Sequence, residues 1–593
     1  MTSRMRARVL RRTSAASGAV VLAAVLLHGQ GRPASRAGTV DWPLHNLDTH
    51  NSRYATLDEI NAGNAGKLAV KWTFETAKTD GLGATTPVVM NGVMYFNAGS
   101  KLFAVDAETG KSRWTYEAPV TFAGGRRGPA SGDGVIYAVG QRYLYAVDAT
   151  SGKALESFGD KGVMSVGNKA LEFKYPGKYK ADLDPVSIGY SIVSAPTFAN
   201  GVVYLGLASA EMMIRGGLVV AMDAKTGAIK WVFNTIPQGP QDDGWDIVKD
   251  TWGGGAMVGG GIWTQPAVDV ESGLVFVNVS NPTPAYDGSV RKGQNLFTDS
   301  VVALKLDSGK LAWYFQTVHH DIWDWETVTG PILFETTVRG ERVKALATFG
   351  KACYGYMLNR VTGAPLNPIV ESPVPQLTDV PGEQPWPTQP IPYTARGVPQ
   401  TPFCMTYPIV TDPELAKRVR PSFHPYLMKE YIITAPSNQG GGNWGSPSFS
   451  PRTGLVYVTG HNEAHSLKPQ PVGDSMAKNP GPDNIRHPDV AGPRGPTGVT
   501  PSTGMGAYNP GTGELVWYKE LPGTTNSGNM VTAGDLVFQA IGDFFALDAR
   551  TGREVFRYPS TARLGSSPMT YQVKGKQFVA VSSGNAVLAF GLR

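Results

Sequence analysis

Cysteine is nearly absent from this 593-residue sequence, which holds only Cys353 and Cys404. No Cys-x-x-Cys-His occurs, and this excludes a haem attached covalently to the chain in the c-type manner. Charged residues are also sparse, at 17% against 41% apolar, so a disordered chain is excluded and a large core is expected. Acidic residues are missing from the first 38 positions, which carry Arg4, Arg6, Arg8, Arg11, Arg12, Arg32 and Arg36 and the apolar run Ala19 to Leu27. The run is too short to span a bilayer comfortably, and no second long one follows. Residues 1–38 therefore read as a signal peptide, with a weak twin-arginine hint at Arg11-Arg12, and residues 39–593 as one exported, periplasmic domain. Removing the seven leader arginines from 54 basic residues leaves 47 against 48 acidic ones. The net charge of +6 thus belongs to the leader and implies no nucleic-acid partner. Export permits a Cys353–Cys404 disulfide; two unpaired buried thiols are the alternative.

What the sequence has in abundance is glycine (71), proline (44) and 58 aromatic residues, a balance that suits short strands joined by tight turns. One unit recurs: an apolar strand, Ala-x-Asp-x-x-x-Gly, then a strand opening near a Trp. It stands as AVDAETGKSRW from Ala104, AVDATSGKALE from Ala146, AMDAKTGAIKW from Ala221 and ALKLDSGKLAW from Ala303. Later copies are AYNPGTGELVW from Ala507 and ALDARTGREVF from Ala546, with a degenerate MLNRVTGAPL from Met357. Each is a hairpin that cannot bury both faces alone, with its Trp placed where neighbouring sheets pack. Radial stacking buries them. The expected fold is all-β, an eight-bladed β-propeller of four-stranded antiparallel blades, closed by pairing the segment near Asp41 to Glu75 with the C-terminal QFVAVSSGNAVLAFGLR. The proline-rich stretch from Pro365 to Pro402 is expected as a long loop over one face.

Propellers host scaffolds as readily as enzymes, so chemistry has to be argued from sites. In GLASAEMMIRGG, Glu211 follows a strand, and in VFVNVSNPTP, Asn281 ends one beside Pro282; alone, each reads as a turn residue. In FQTVHHDIWDWETVTGP, Asp321, Asp324 and Glu326 are packed among Trp323 and Trp325. Three carboxylates between aromatics are costly to bury without a cation. In ATFGKACYGYMLNR, Lys351 interrupts an apolar strand and needs an anionic partner.

Together these motifs resemble the quinoprotein alcohol and glucose dehydrogenases, which use pyrroloquinoline quinone, over essentially the whole mature length. The resemblance implies metal ligands at Glu211, Asn281 and Asp324, with Asp324 also the catalytic base. It implies that Lys351, 27 residues on, contacts the quinone oxygens, and that Trp263 in GGGIWTQPAVD is the floor under the ring. It further implies cofactor contacts from Arg127 of Arg127-Gly128, from Asn443-Trp444 in GGGNWGSPSFSP, and from the hydroxyls of Ser194 and Ser209. His319 and His320 are pocket-lining candidates whose ordinary reading is structural.

The sequence departs from the family in three places. Thr121-Phe122 stand where an adjacent cysteine pair is common, a glutamate is missing from GLGATTPVV, and TVHHDIWDW is closer to the glucose and polyol branch. That branch makes a membrane-surface association an expectation too. Glu326, two residues after Asp324, adds a carboxylate at the offset where lanthanide-using relatives carry an Asp. It either tilts the site from calcium toward a trivalent lanthanide, or turns away to solvent or pairs with a nearby base and leaves a calcium site. The expected function is PQQ- and metal-dependent oxidation of an alcohol, polyol or sugar hydroxyl, without haem, electrons passing to an external cytochrome c or membrane quinone. A non-catalytic scaffold, or a quinoprotein that has lost its cofactor, is the rival reading.

Overall fold

The computed structural model describes residues 38–119, 127–208, 213–470, 492–560, 562 and 564–593. The leader as far as residue 37 lies outside them. The repeats fold as eight radial sheets. Blade 1 runs through Val88–Met90, Val93–Ala98, Lys101–Asp106 and Ser112–Glu117. Blade 4 is Ala267–Asp269, Leu274–Asn278, Ser300–Lys305 and Leu311–Gln316, and blades 2, 3, 6 and 7 follow the same antiparallel meander. Blade 8 joins the two ends of the chain as expected, because Leu68–Glu75 pairs with Ala586–Leu592. No blade edge is then left at the closure.

Blade 5 has three strands, Ile332–Val338, Glu341–Phe349 and Gly355–Asn359. Its fourth is reduced to a bridge between Leu358 and Pro365. The prolines at 365 and 368 explain the shortfall, since neither can donate to a ladder. The chain leaves instead into a hairpin, Ile369–Pro373 with Thr388–Pro392, which is the expected long loop.

The recurring Trp and Gly are two halves of one joint. Trp114, Trp231, Trp313 and Trp517 each donate the indole N–H to a turn carbonyl of the next blade, at Ala149, Leu306, Arg360 and Ala549, over 3.0 to 3.2 Å. The ring lies on the turn glycine of that blade. A Cβ on Gly309 would fall 2.5 Å from the Trp231 ring, so the repeat needs glycine there for close approach as well as for its positive φ.

A feature without a sequence signature is a belt formed by residues 40–55. Its carbonyls at Pro43, Thr49, His50, Ser52 and Arg53 accept from Ser131, Val268, Leu333, Phe449 and Val531, which belong to the innermost strands of blades 2, 4, 5, 6 and 7. Arg53, fully buried, ties the belt to the carbonyls of Asn529 and His45 and to Asn46 Oδ1. The belt thus closes one end of the axis.

Candidate active site

Between blades 4 and 5 the chain winds around one carboxylate. Asp321 Oδ1 accepts the N–H of Trp323 at 2.8 Å and Oδ2 that of Trp325 at 2.7 Å, a turn built by an Asp side chain on its own backbone. The turn buries both indoles, stacked with centroids 5.4 Å apart. They donate to the carbonyls of His424 at 2.9 Å and Ser437 at 3.1 Å. Asp324, caught between them at φ 65°, faces the other way with its side chain 21% exposed. Burial pushes Asp321 up to about 6 against the pull of its two N–H donors. Its role is to shape the turn.

Lys351 opens the segment after the second strand of blade 5 and turns its ammonium back to this loop. Nζ lies 3.0 Å from Asp324 Oδ1 and 2.9 Å from Glu326 Oε2. Burial raises the Glu326 carboxyl well above its usual range, Lys351 opposing and Asp324 reinforcing the shift. The Lys351 ammonium is held charged: burial works against it, and the two carboxylates prevail. Of the alternatives for Glu326, pairing with a nearby base is the one this arrangement matches.

A second group lies alongside. Trp263 and Trp444 face each other with ring centroids 4.1 Å apart. The Arg127 guanidinium sits 4.3 Å over the Trp444 ring and donates to its carbonyl at 3.0 Å. Gly128 makes this possible, since a Cβ there would fall 1.8 Å from the Thr86 carbonyl oxygen. Val328 joins the two groups: it packs with Val193, Trp263 and Trp444 and bridges to Asn443. Asn281 reaches the same region, its carbonyl accepting from Gly260 and its amide donating to Pro282 at 3.0 Å.

Several buried polar atoms here have no hydrogen-bond partner: Trp263 Nε1, Thr264 Oγ1, Asn281 Oδ1 and Asn443 Oδ1. Each such orphan costs about 1–3 kcal/mol. A mixed set of donors and acceptors beside an indole and a guanidinium fits a flat ligand rich in carbonyls and carboxylates, and the Asn281 and Asp324 oxygens fit a hard cation.

Other candidates are placed differently. Ser194 donates to the Gly206 carbonyl and accepts its N–H, both at 3.2 Å, so its hydroxyl is engaged with backbone. His319 and His320 are held by Glu371 and Glu383 of the long loop at 3.0 and 2.7 Å, a structural role. Ser209, Glu211 and Thr121-Phe122 lie outside the described residues. Among the described residues no group of three His, Cys, Asp or Glu side chains is arranged to hold a metal. Cys353 and Cys404 are joined in a disulfide.

The sequence reading missed two features. Asp299, just before the third strand of blade 4, is fully buried, and burial and Asp321 raise its carboxyl well above the usual range against the pull of Thr298 and Arg291. Tyr286, Tyr426 and His465 form a three-ring cluster on which the charge of Asp324 acts. Isolated tyrosines and histidines in loops carry no pattern that marks them in advance.

Comparison with known proteins supplies the remaining evidence. The family model for the PQQ "Glucose/ethanol/alcohol dehydrogenase, beta-propeller domain" matches residues 42–490 and 513–579. The quinohemoprotein alcohol dehydrogenase ADH IIB of Pseudomonas putida is 29% identical over 93% of this chain and 74% of its own length. The solved quinohemoprotein alcohol dehydrogenase of Comamonas testosteroni superposes with a TM-score of 0.69 at 24% identity, over 93% of this chain and 80% of that one. A europium-containing methanol dehydrogenase gives 0.69 at 22%, over 93% and 98%. These similarities correct one expectation, the exclusion of haem: similar proteins are quinohemoproteins, and this chain spans three-quarters or so of their length. Counting cysteines in 593 residues bears only on thioether attachment within those residues. The family model covers most of the described propeller, and the chain belongs to the PQQ-dependent glucose/ethanol/alcohol dehydrogenase family, oxidoreductases acting on the CH–OH group.

Proposed function

We propose that the chain is an exported dehydrogenase in which Asp324 takes the hydroxyl proton of an alcohol or polyol. The observation that carries this reading is the position of Asp324: a partly exposed carboxylate, fixed at φ 65° by the turn around Asp321 and held 3.0 Å from Lys351. A fixed carboxylate with one oxygen on an ammonium presents the other to substrate, as a general base requires. Pyrroloquinoline quinone, when bound, supplies the two-electron acceptor for the substrate hydride, and a cation beside it supplies Lewis acidity. Trp263, Arg127 and Asn443 would hold the quinone, and Asn281 and Asp324, with Glu211, the cation. Lys351 keeps Asp324 oriented. The buried indoles of Trp323 and Trp325 keep water from the back of the loop.

Export is supported by the arginine-rich leader and by the Cys353–Cys404 disulfide, a bond favoured in oxidising compartments. No helix among the described residues is long and apolar enough to cross a membrane. Electrons would pass onward to a cytochrome or a membrane quinone.

Reconstitution with pyrroloquinoline quinone and calcium tests the reading. Alcohol-dependent reduction of an artificial electron acceptor is expected, with Asp324→Asn slower by at least about a hundredfold at unchanged quinone absorbance. A protein that binds no quinone, or an Asp324→Asn variant with wild-type turnover, overturns it.

A further inference from the structure

The three-ring cluster on which the charge of Asp324 acts contains a buried ring nitrogen without a hydrogen-bond partner among the described residues. His465 is 4% exposed, and its Nε2 is buried without a partner. Its Nδ1 lies 3.2 Å from the hydroxyl of Tyr426, which in turn accepts from Thr434 Oγ1 at 3.2 Å. Thr434 donates to Tyr426, and in the tautomer in which Tyr426 donates to Nδ1 the ring hydrogen sits on Nε2. Burial, with the nearby Arg494 charge, lowers the His465 pKa to about 4, so the ring is neutral at neutral pH.

His465 and Trp325, the neighbour of Asp324, are tied to one short segment. Thr434 exchanges two backbone hydrogen bonds with His465, at 3.0 and 2.8 Å. Three residues on, Ser437 accepts the indole N–H of Trp325, the neighbour of Asp324. The edge-on packing of His465 against Tyr286 and Tyr426, at 6.2 and 5.7 Å, locks the ring plane. A donor held this firmly, buried and unpaired, is costly unless a ligand oxygen meets it.

We propose that His465 Nε2–H is a substrate-positioning donor that binds a second oxygen on the substrate, next to the carbinol that Asp324 deprotonates, so that the preferred substrate is a vicinal diol or polyol rather than a simple alkanol. The second oxygen is the better partner on chemical grounds. A donor held on the reacting oxygen would stabilise its lone pairs as the C–H bond breaks and would oppose carbonyl formation. An oxygen one carbon away escapes that conflict and fixes the carbinol relative to Asp324. This assignment rests on the dehydrogenase reading and goes beyond it in naming the substrate class.

The test uses the protein reconstituted with quinone and calcium and compares 1-propanol with 1,2-propanediol. The wild type is expected to favour the diol in kcat/KM by at least about tenfold, the range in which a site left with an unpaired polar group discriminates. His465→Phe, which keeps the ring and removes the donor, should lower kcat/KM for the diol at least about tenfold more than for propanol, chiefly through KM. His465→Gln, which restores an N–H, should recover part of the preference. Tyr426→Phe, which frees the tautomer, should weaken it. A wild type without diol preference, or a His465→Phe variant that folds and loses both substrates equally, overturns the assignment. If His465→Phe fails to fold, an undiminished preference in Tyr426→Phe overturns it. A wild type that turns over neither alcohol sinks the dehydrogenase reading and this assignment with it.

Discussion

Lys351 Nζ lies 2.9 Å from Glu326 Oε2, with the two side chains only 6% and 1% exposed. Glu326 thus brings no uncompensated charge toward a cation: ionised, it is matched by Lys351, and protonated, it is neutral. The extra carboxylate, which facing the cation would favour a trivalent ion, is spent inside the protein. Calcium should therefore support turnover in the wild type and in Glu326→Gln, with lanthanum the poorer ion in both. Lys351→Ala leaves one more negative charge near the site, so it should shift preference toward lanthanum. Metal titrations of the quinone-loaded protein, followed by absorbance, would show this; a wild type that prefers lanthanum means that Glu326 faces the cation.

The blades were legible because their signal is covalent and local. An Asp or Asn, a Gly a few residues on and, in most copies, a Trp soon after each do a recurring job, as Asp106, Gly110 and Trp114 do in blade 1. Closure by the two ends was legible for the same reason, since both are strand-like. Asp324 and Lys351 could be singled out because charges among aromatics are conspicuous. The belt at 40–55 was not legible: its bonds run from backbone carbonyls to the innermost strands of five blades, and backbone groups leave no mark in side-chain identity. Ser194 carries no distinguishing signal for a related reason, because a serine at a strand end looks alike in sequence whether it serves a ligand or bonds the backbone as it does at Gly206. His465 is recognisable only in three dimensions, where the Tyr426 hydroxyl satisfies one nitrogen and leaves the other.

The blade joint makes a prediction about stability. Gly309 and Gly273 both sit at φ +67°, yet a Cβ on Gly309 would fall 2.5 Å from the Trp231 ring while one on Gly273 meets nothing within 4 Å. Alanine at either site incurs the same left-handed strain, roughly 1–2 kcal/mol. Only Gly309→Ala adds overpacking at the blade joint, about 1–3 kcal/mol more. Thermal unfolding should therefore separate the two, Gly309→Ala melting at the lower temperature. Equal midpoints would mean that the indole shifts freely and the joint is not tight.

Glu383 gives a prediction in pH. It reaches from the long loop to blade 4, where Oε1 lies 2.7 Å from His320 Nε2 and the other oxygen accepts the Gly288 N–H. Burial alone would raise its carboxyl, but the hydrogen bond and charge of His320, then Arg291 and the Gly288 N–H, outweigh it, and the pKa is lowered. A carboxyl whose folded value lies below its unfolded one, about 4.3, binds fewer protons in the folded state. Its stabilisation is present above that unfolded value and is lost as pH falls through the folded one. Glu383→Gln should therefore destabilise the protein by about 2 kcal/mol at pH 7, with the gap to wild type closing as the pH drops below roughly 4. Unfolding midpoints of both proteins across that range provide the measurement. A gap that persists unchanged in acid would show that the shape of the Glu383 side chain, and not its charge, holds the loop to His320.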